Sequence, residues 1–229
     1  MKQHDFIIGP TDTDSISFTK SDMSVMSKEE IDLYIKEIND LSPDFMDWAD
    51  DGYYQTVIAV RAKNYALWDG KKLVTKGSSL KATVKSPAMK EFIQAIIWSI
   101  IKEEYNYAEI YNKYIKEIMN ITDIKRFAVR KTITDKVLDG ARTAEQKILT
   151  AIEDSEESYS EGDKAYVYYR PDNSLALVDK FDGNYNQLKL LKNLYDTAMC
   201  FQTIIDKNIF MNYSLKRNQK ALQDLINGV

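Results

Sequence analysis

Apolar positions along this chain change their period at definite points, and those changes mark its elements. Phe6, Ile7 and Ile8, then Ile16 and Phe18, bracket a Gly9-Pro10-Thr11-Asp12 turn signal, so the start reads as two short strands folded into a hairpin. Ser27-Lys28-Glu29-Glu30 is a capping-box pattern, Ser with Glu three residues later. It opens a helix whose apolar residues Ile31, Tyr34, Ile35, Ile38 and Leu41 recur at helical spacing, with Pro43 just past its end. Residues 53–60 are β-branched and aromatic and predict a strand. It is expected to continue into Lys63-Asn64-Tyr65, turn at Asp69-Gly70 and return through Leu73-Val74. On such a strand Lys63 and Tyr65, two apart, leave one face.

The second half is mainly helical. Ser86-Pro87 is a helix start, followed by Met89, Phe92, Ile93, Ile96, Ile97, Ile100 and Ile101, a core stripe. A helix rich in Tyr and Lys follows at 107–119, and 126–134 reads as a short strand or loop with alternating basic residues. Next come a helix near 143–152, an acidic loop at 153–163, and a hairpin of 165–169 with 175–178 around Pro171-Asp172-Asn173. Helices at about 187–205 and 218–226 close the chain. The acidic loop is the only plausible flexible linker. The pattern predicts an α+β protein, hairpins plus a helix first and mostly helices afterwards.

Composition excludes more than it identifies. A hydrophobic share of 44% and a charged share of 29% are ordinary for a globular chain, and no apolar run approaches the roughly 18 residues of a membrane span. The single cysteine, Cys200, rules out an internal disulfide and reads as a buried packing residue; the single histidine, His4, rules out a His/Cys zinc cage. A reducing cytoplasm is the expected compartment. The net charge of −4 conceals an uneven distribution. Residues 22–51 hold ten acids and two lysines, net −8, whereas 61–90 hold eight basic residues and one acid, net +7. Residues 125–147 carry net +4 and residues 150–163 net −6. Such runs are ordinarily solvated faces, but local basic patches, not the mean charge, are what neutralise phosphates.

Candidate chemistry begins at Asp12-Thr13-Asp14-Ser15. Two carboxylates two residues apart at a hairpin tip leave extended backbone on one side and form a hard-oxygen site suited to Mg²⁺. Taken alone, the tripeptide is a weak signal and reads first as a solvated Asx turn. A glycosyltransferase-type metal motif is a further option, but no Gly-rich loop stands between a strand and a helix to hold a nucleotide.

The run Asp12-Thr13-Asp14-Ser15 between apolar strands resembles motif C of the family B DNA polymerases. Lys63-Asn64-Tyr65 resembles that family's Lys-x-Tyr motif, and Lys76-Gly77 followed by Lys85-Ser86-Pro87 resembles its passage from palm into thumb. The three occur in family order. The resemblance implies a partial polymerase palm over residues 1–86 and a mainly helical thumb over 87–229, and phage-type replicative enzymes are the nearest kind. Only five residues precede Phe6, so the exonuclease, the first palm aspartate and the fingers are expected on a second chain, as in a split polymerase in the host cytoplasm.

The resemblance also assigns roles. Asp14 is the principal metal ligand and Asp12 a supporting one, for two Mg²⁺ ions shared with the partner chain during nucleotidyl transfer from dNTP. Lys63 meets the minor-groove edge of the primer terminus and Tyr65 positions its backbone. Lys76, Lys81 and Lys85 contact phosphates, and Arg126, Arg130 and Lys131 grip the primer–template duplex. At the C-terminal end, Gln219, Leu222, Leu225 and Ile226 form a short amphipathic stripe that could dock a sliding clamp or simply pack on the thumb. Two residues depart from the family pattern: Pro10 stands where Tyr is usual, and Ala62 precedes Lys63 where a basic residue is common. They leave open a catalytically idle DNA-binding subunit.

Overall fold

The computed structural model describes residues 5–81 and 86–228. The protein is α+β, built from three small antiparallel sheets and a set of helices. It divides into two compact units, Met1–Gly77 and Ser78–Val229. The division therefore falls ahead of the expected boundary at 86/87, and the acidic loop at 153–163 is internal to the second unit. Among the described residues, no helix is long and apolar enough to cross a membrane.

In the first unit, β1 (Phe6–Thr11) pairs antiparallel with β2 (Ile16–Lys20). The turn is Asp12–Ser15, closed by the Asp12 amide donating to the Ser15 carbonyl at 2.9 Å. Gly9 and Pro10 thus lie inside β1, not at the turn as their identity suggested. The register slips between Ile8 and Thr11. An interrupted ladder is where a strand tolerates proline, which has no N–H to donate.

Helix α1 (Lys28–Asp40) has the predicted capping box. The Ser27 hydroxyl accepts from the Glu30 amide, and the Glu30 carboxylate accepts from the Ser27 amide at 2.8 Å. Phe6 meets Phe18 in a tilted ring contact and Tyr34 edge-on, and Lys20 pairs with Glu30 at 2.6 Å, so hairpin and helix are tied by rings and charge. Of the apolar stripe, Ile31, Tyr34, Ile35 and Ile38 are half-buried, Leu41 is exposed, and α1 contains no fully buried residue.

The second sheet is β3 (Thr56–Arg61), β4 (Asn64–Trp68) and β5 (Leu73–Lys76), in that order. Ile58, Val60, Tyr65, Ala66 and Leu67 form its buried part. Asp69 anchors the β4–β5 turn, its carboxylate accepting from the amides of Lys71 and Lys72 at 2.7 and 2.6 Å, with Gly70 at φ +95°.

The second unit opens with one turn, α2 (Ser78–Lys81), followed by α3 (Pro87–Ile101) and α4 (Tyr107–Met119). Phe92, Ile93, Ile96 and Ile97 of α3 are buried with Tyr111, Tyr114, Ile115 and Ile118 of α4. Phe92 meets Tyr114 edge-to-face at 5.4 Å. Burial pushes the Tyr114 phenol up to about 12, and that of Tyr111 higher still; the Tyr111 hydroxyl donates to the Met211 carbonyl at 2.9 Å.

A second core lies under the sheet of β6 (Val129–Thr132), β7 (Lys164–Tyr169) and β8 (Leu175–Leu177), which α5 (Asp135–Leu138) and α6 (Thr143–Glu153) support. Ala165 and Val167, Leu175 and Leu177 face Ile148, Ala151 and Ile152 there, and Tyr159 of the acidic loop packs against the cluster. Helix α7 (Gln187–Ala198) continues into a 3-10 turn, Met199–Phe201, that buries Phe201. Cys200 is only half-buried, a correction to its expected place in the core. Helix α8 (Gln219–Asn227) ends at Gly228 in the left-handed conformation.

Candidate functional site

Asp12 and Asp14 both occupy the β1–β2 turn and are exposed. They share a tip but not an extended strand, so the alternation argument for a common side does not apply to them. Asp12 has two partners. Its Oδ1 accepts from the Thr13 amide at 2.9 Å, and the Lys63 ammonium stands 3.3 Å from the same oxygen. The Thr13 amide, then the hydrogen bond and charge of Lys63, hold the Asp12 carboxyl below the usual carboxylate range.

Lys63 reaches Asp12 because the predicted continuous strand is broken there. After Arg61 the chain reverses through Ala62-Lys63, with Lys63 in the left-handed region at φ 59°, and the register shifts between Ala59 and Arg61. Lys63 is consequently exposed at a hairpin tip, while Tyr65 is buried in β4 at 7% exposure. The expectation that the two project from one face is corrected: Lys63 belongs to the turn and Tyr65 to β4. Asn64 between them is also buried, and its amide donates to the Ala62 carbonyl at 2.9 Å.

Gly77 completes this arrangement. It follows β5 at φ +87°, and a Cβ placed on it would sit 2.1 Å from the Lys63 carbonyl oxygen and 2.4 Å from Asn64 Oδ1. Only glycine allows the end of β5 to approach the Lys63 turn so closely. The sequence signal available for this was Lys76-Gly77 itself, a glycine directly after a strand; its target could not be read from the chain.

The other predicted residues are dispersed. Lys76 is exposed at the end of β5, opposite Tyr65 in the register. Lys81 belongs to α2, and Lys85 lies outside the described residues. Arg126 is held in a 3-10 turn between two carboxylates, Glu91 and Glu117, the latter at 3.1 Å. Arg130 and Lys131 are neighbours on β6 and point to opposite faces of its sheet, Arg130 exposed and Lys131 half-buried. In α8, Leu222 is buried, Leu225 and Ile226 are half-buried, and the Gln219 side-chain amide donates to the Tyr213 carbonyl at 2.6 Å.

The donor set at the hairpin tip is two carboxylates, hard oxygens of the kind Mg²⁺ takes. Among the described residues, no group of three or more His, Cys, Asp or Glu side chains comes together as a metal cage. No protein-family model matches the sequence, and no curated protein is significantly similar to it.

Proposed function

We propose that this chain supplies the motif C carboxylates and a DNA-gripping region to a family B DNA-directed DNA polymerase. Its exonuclease, first palm aspartate and fingers lie outside these residues, on a partner chain. The observation that supports the reading is the meeting of two motifs about fifty residues apart: Lys63 of the Lys-x-Tyr segment stands beside Asp12 of the Asp-Thr-Asp segment. Spacing alone gave no reason for those side chains to meet.

In this reading Asp14 and Asp12 hold Mg²⁺ jointly with carboxylates of the partner. When bound, the metal lowers the barrier for attack of the primer 3′-hydroxyl on the dNTP by neutralising charge on the reacting oxygens. Asp14, with no ion pair to Lys63, is the principal ligand. Asp12, beside the Thr13 amide and Lys63, is the supporting one. Lys63 serves the primer terminus from the neighbouring β3–β4 tip, where minor-groove acceptors shared by all correct pairs report geometry and not sequence. Basic side chains of the second unit neutralise duplex phosphates.

A catalytically idle DNA-binding subunit is the second reading. It is favoured by Pro10 standing in the strand that leads to the carboxylates. One experiment separates the two. In a complex reconstituted with the partner chain, Asp14→Ala should abolish nucleotide incorporation in Mg²⁺ while DNA affinity barely falls, because a metal ligand acts on transition-state charge. Undiminished incorporation by both Asp14→Ala and Asp12→Ala would assign the chain to the idle class.

A further inference from the structure

The β6–β7–β8 sheet has one face on the core and one turned away from it. Along β7, Ala165 and Val167 enter the core cluster and Tyr169 packs against it, so Lys164, Tyr166 and Tyr168 lie on the opposite face. The antiparallel register sets Arg130 directly across from Tyr166 and Thr132 across from Lys164, on that same opposite face. Tyr168 is buried against Phe181 at 5.4 Å, which closes one end. The other end is open: Tyr166 remains 44% exposed, with Arg130 exposed beside it.

The charge of the open end is basic, while Asp179 and Asp182 act on Tyr168 at the closed end. The three strands, Val129–Thr132, Lys164–Tyr169 and Leu175–Leu177, contain no acidic residue. Among the described residues Arg130 makes no ion pair, in contrast to Arg126, which two glutamates neutralise. Lys164 donates to the Thr132 hydroxyl at 2.9 Å, a neutral partner that leaves its charge intact. The adjacent acid, Asp163, turns its carboxylate to the Ser160 amide at 2.7 Å.

We infer that this face is a stacking platform for an unpaired nucleic-acid strand, with a base on the Tyr166 ring and flanking phosphates on Arg130 and Lys164. The inference rests on the nucleic-acid part of the proposed function and adds the strandedness and the contact residues. Phosphates alone would require only the cations. An exposed aromatic ring set between them selects a ligand that can offer a free π-face, and bases inside a duplex have both faces covered by their neighbours. Stacking is tolerant of sequence, so the platform takes any base, and Arg130 can add its own stacking contact.

The two contributions separate by salt. With the full chain and a short oligodeoxythymidine or oligouridine, Tyr166→Ala should weaken binding roughly ten-fold, with the slope of log affinity against log salt unchanged. Tyr166→Phe should bind like the wild type. Arg130→Ala and Lys164→Ala should each lower the slope by about 0.7, the contribution of one neutralised phosphate on a single strand. A preference for either sugar that still depends on Tyr166 upholds the platform and fixes the ligand. Equal affinity for Tyr166→Ala and wild type, or equal losses for Tyr166→Ala and Tyr166→Phe, overturns it. Binding of primer–template duplex with no single-strand binding overturns the platform and leaves the polymerase reading standing. Tyr166-dependent binding alongside full incorporation by Asp14→Ala and Asp12→Ala does the reverse.

Discussion

The ammonium of Lys63 and the carboxylate of Asp12, fifty-one positions apart in the chain, stand 3.3 Å from each other at the tips of two separate hairpins. Both side chains remain substantially exposed, at 68% and 35%. A pair in that setting contributes little to stability, because water screens it. Its consequence is local: it sets a cation beside one carboxylate of the proposed metal site and lowers that group's pKa.

Removing the lysine should therefore change the carboxylate more than the fold. In Lys63→Met the Asp12 carboxyl should titrate closer to its ordinary value of 3.8, with the Thr13 amide holding it somewhat below. The sign of the linkage follows from the depressed folded value. Whatever stability the pair adds is present above the unfolded pKa and is lost as pH falls through the folded one. Carboxyl ¹³C shifts followed by NMR across pH 2–6 check this. An unmoved Asp12 titration would show that the contact is not kept in solution. In the reconstituted complex, Lys63→Ala should slow extension mainly from a correctly paired primer terminus.

Gly77→Ala should disturb the same tip from beneath. The added methyl meets the Lys63 carbonyl at 2.1 Å, and φ +87° is strained for any side chain. A loss of about 2 kcal/mol or more in urea unfolding is expected, accompanied by movement of the Asp12 titration toward that of Lys63→Met. Full stability with an unchanged titration would mean that β5 does not approach the Lys63 turn this closely.

Arg126 and Arg130 should part company. Arg126, tied to Glu91 and Glu117, is expected to lose about 0.5–1 kcal/mol of stability as Arg126→Ala, the range for a partly exposed network. Arg130→Ala should leave the unfolding midpoint unmoved. On duplex DNA, Arg130→Ala/Lys131→Ala should lower the salt slope by about one unit per phosphate contact removed. Identical slopes for this double variant and the wild type would show that β6 does not touch duplex DNA.

The C-terminal helix tests packing against docking. Leu222 is 2% exposed, so Leu222→Ala should cost about 2–4 kcal/mol, more than Leu225→Ala on the half-buried flank. Deleting residues 219–229 should destabilise the second unit and lower clamp-free activity of the complex. A deletion that folds normally and loses processivity only when a sliding clamp is present would instead make this helix the clamp's docking peptide.

Local chemistry was legible in the chain wherever a residue's own conformational preference decides the outcome. Ser27 and Glu30 capped α1, Ser86-Pro87 began α3, Asp69-Gly70 made the β4–β5 turn, and the apolar stripe of α3 marked its buried face. Gly9-Pro10 misled because a strand can absorb a proline at a slip in register, and the turn moved on to Asp12–Ser15. Lys63 misled because β-branched patterning cannot reveal a two-residue reversal carried by a lysine in the left-handed region. Tertiary structure alone decided that Lys63 faces Asp12, that Gly77 lies against the Lys63 turn, and that Tyr166 stands open beside Arg130. Each of these depends on which strands pair and in what register, a choice made by burial of distant apolar residues. The sequence around the individual side chain does not carry it.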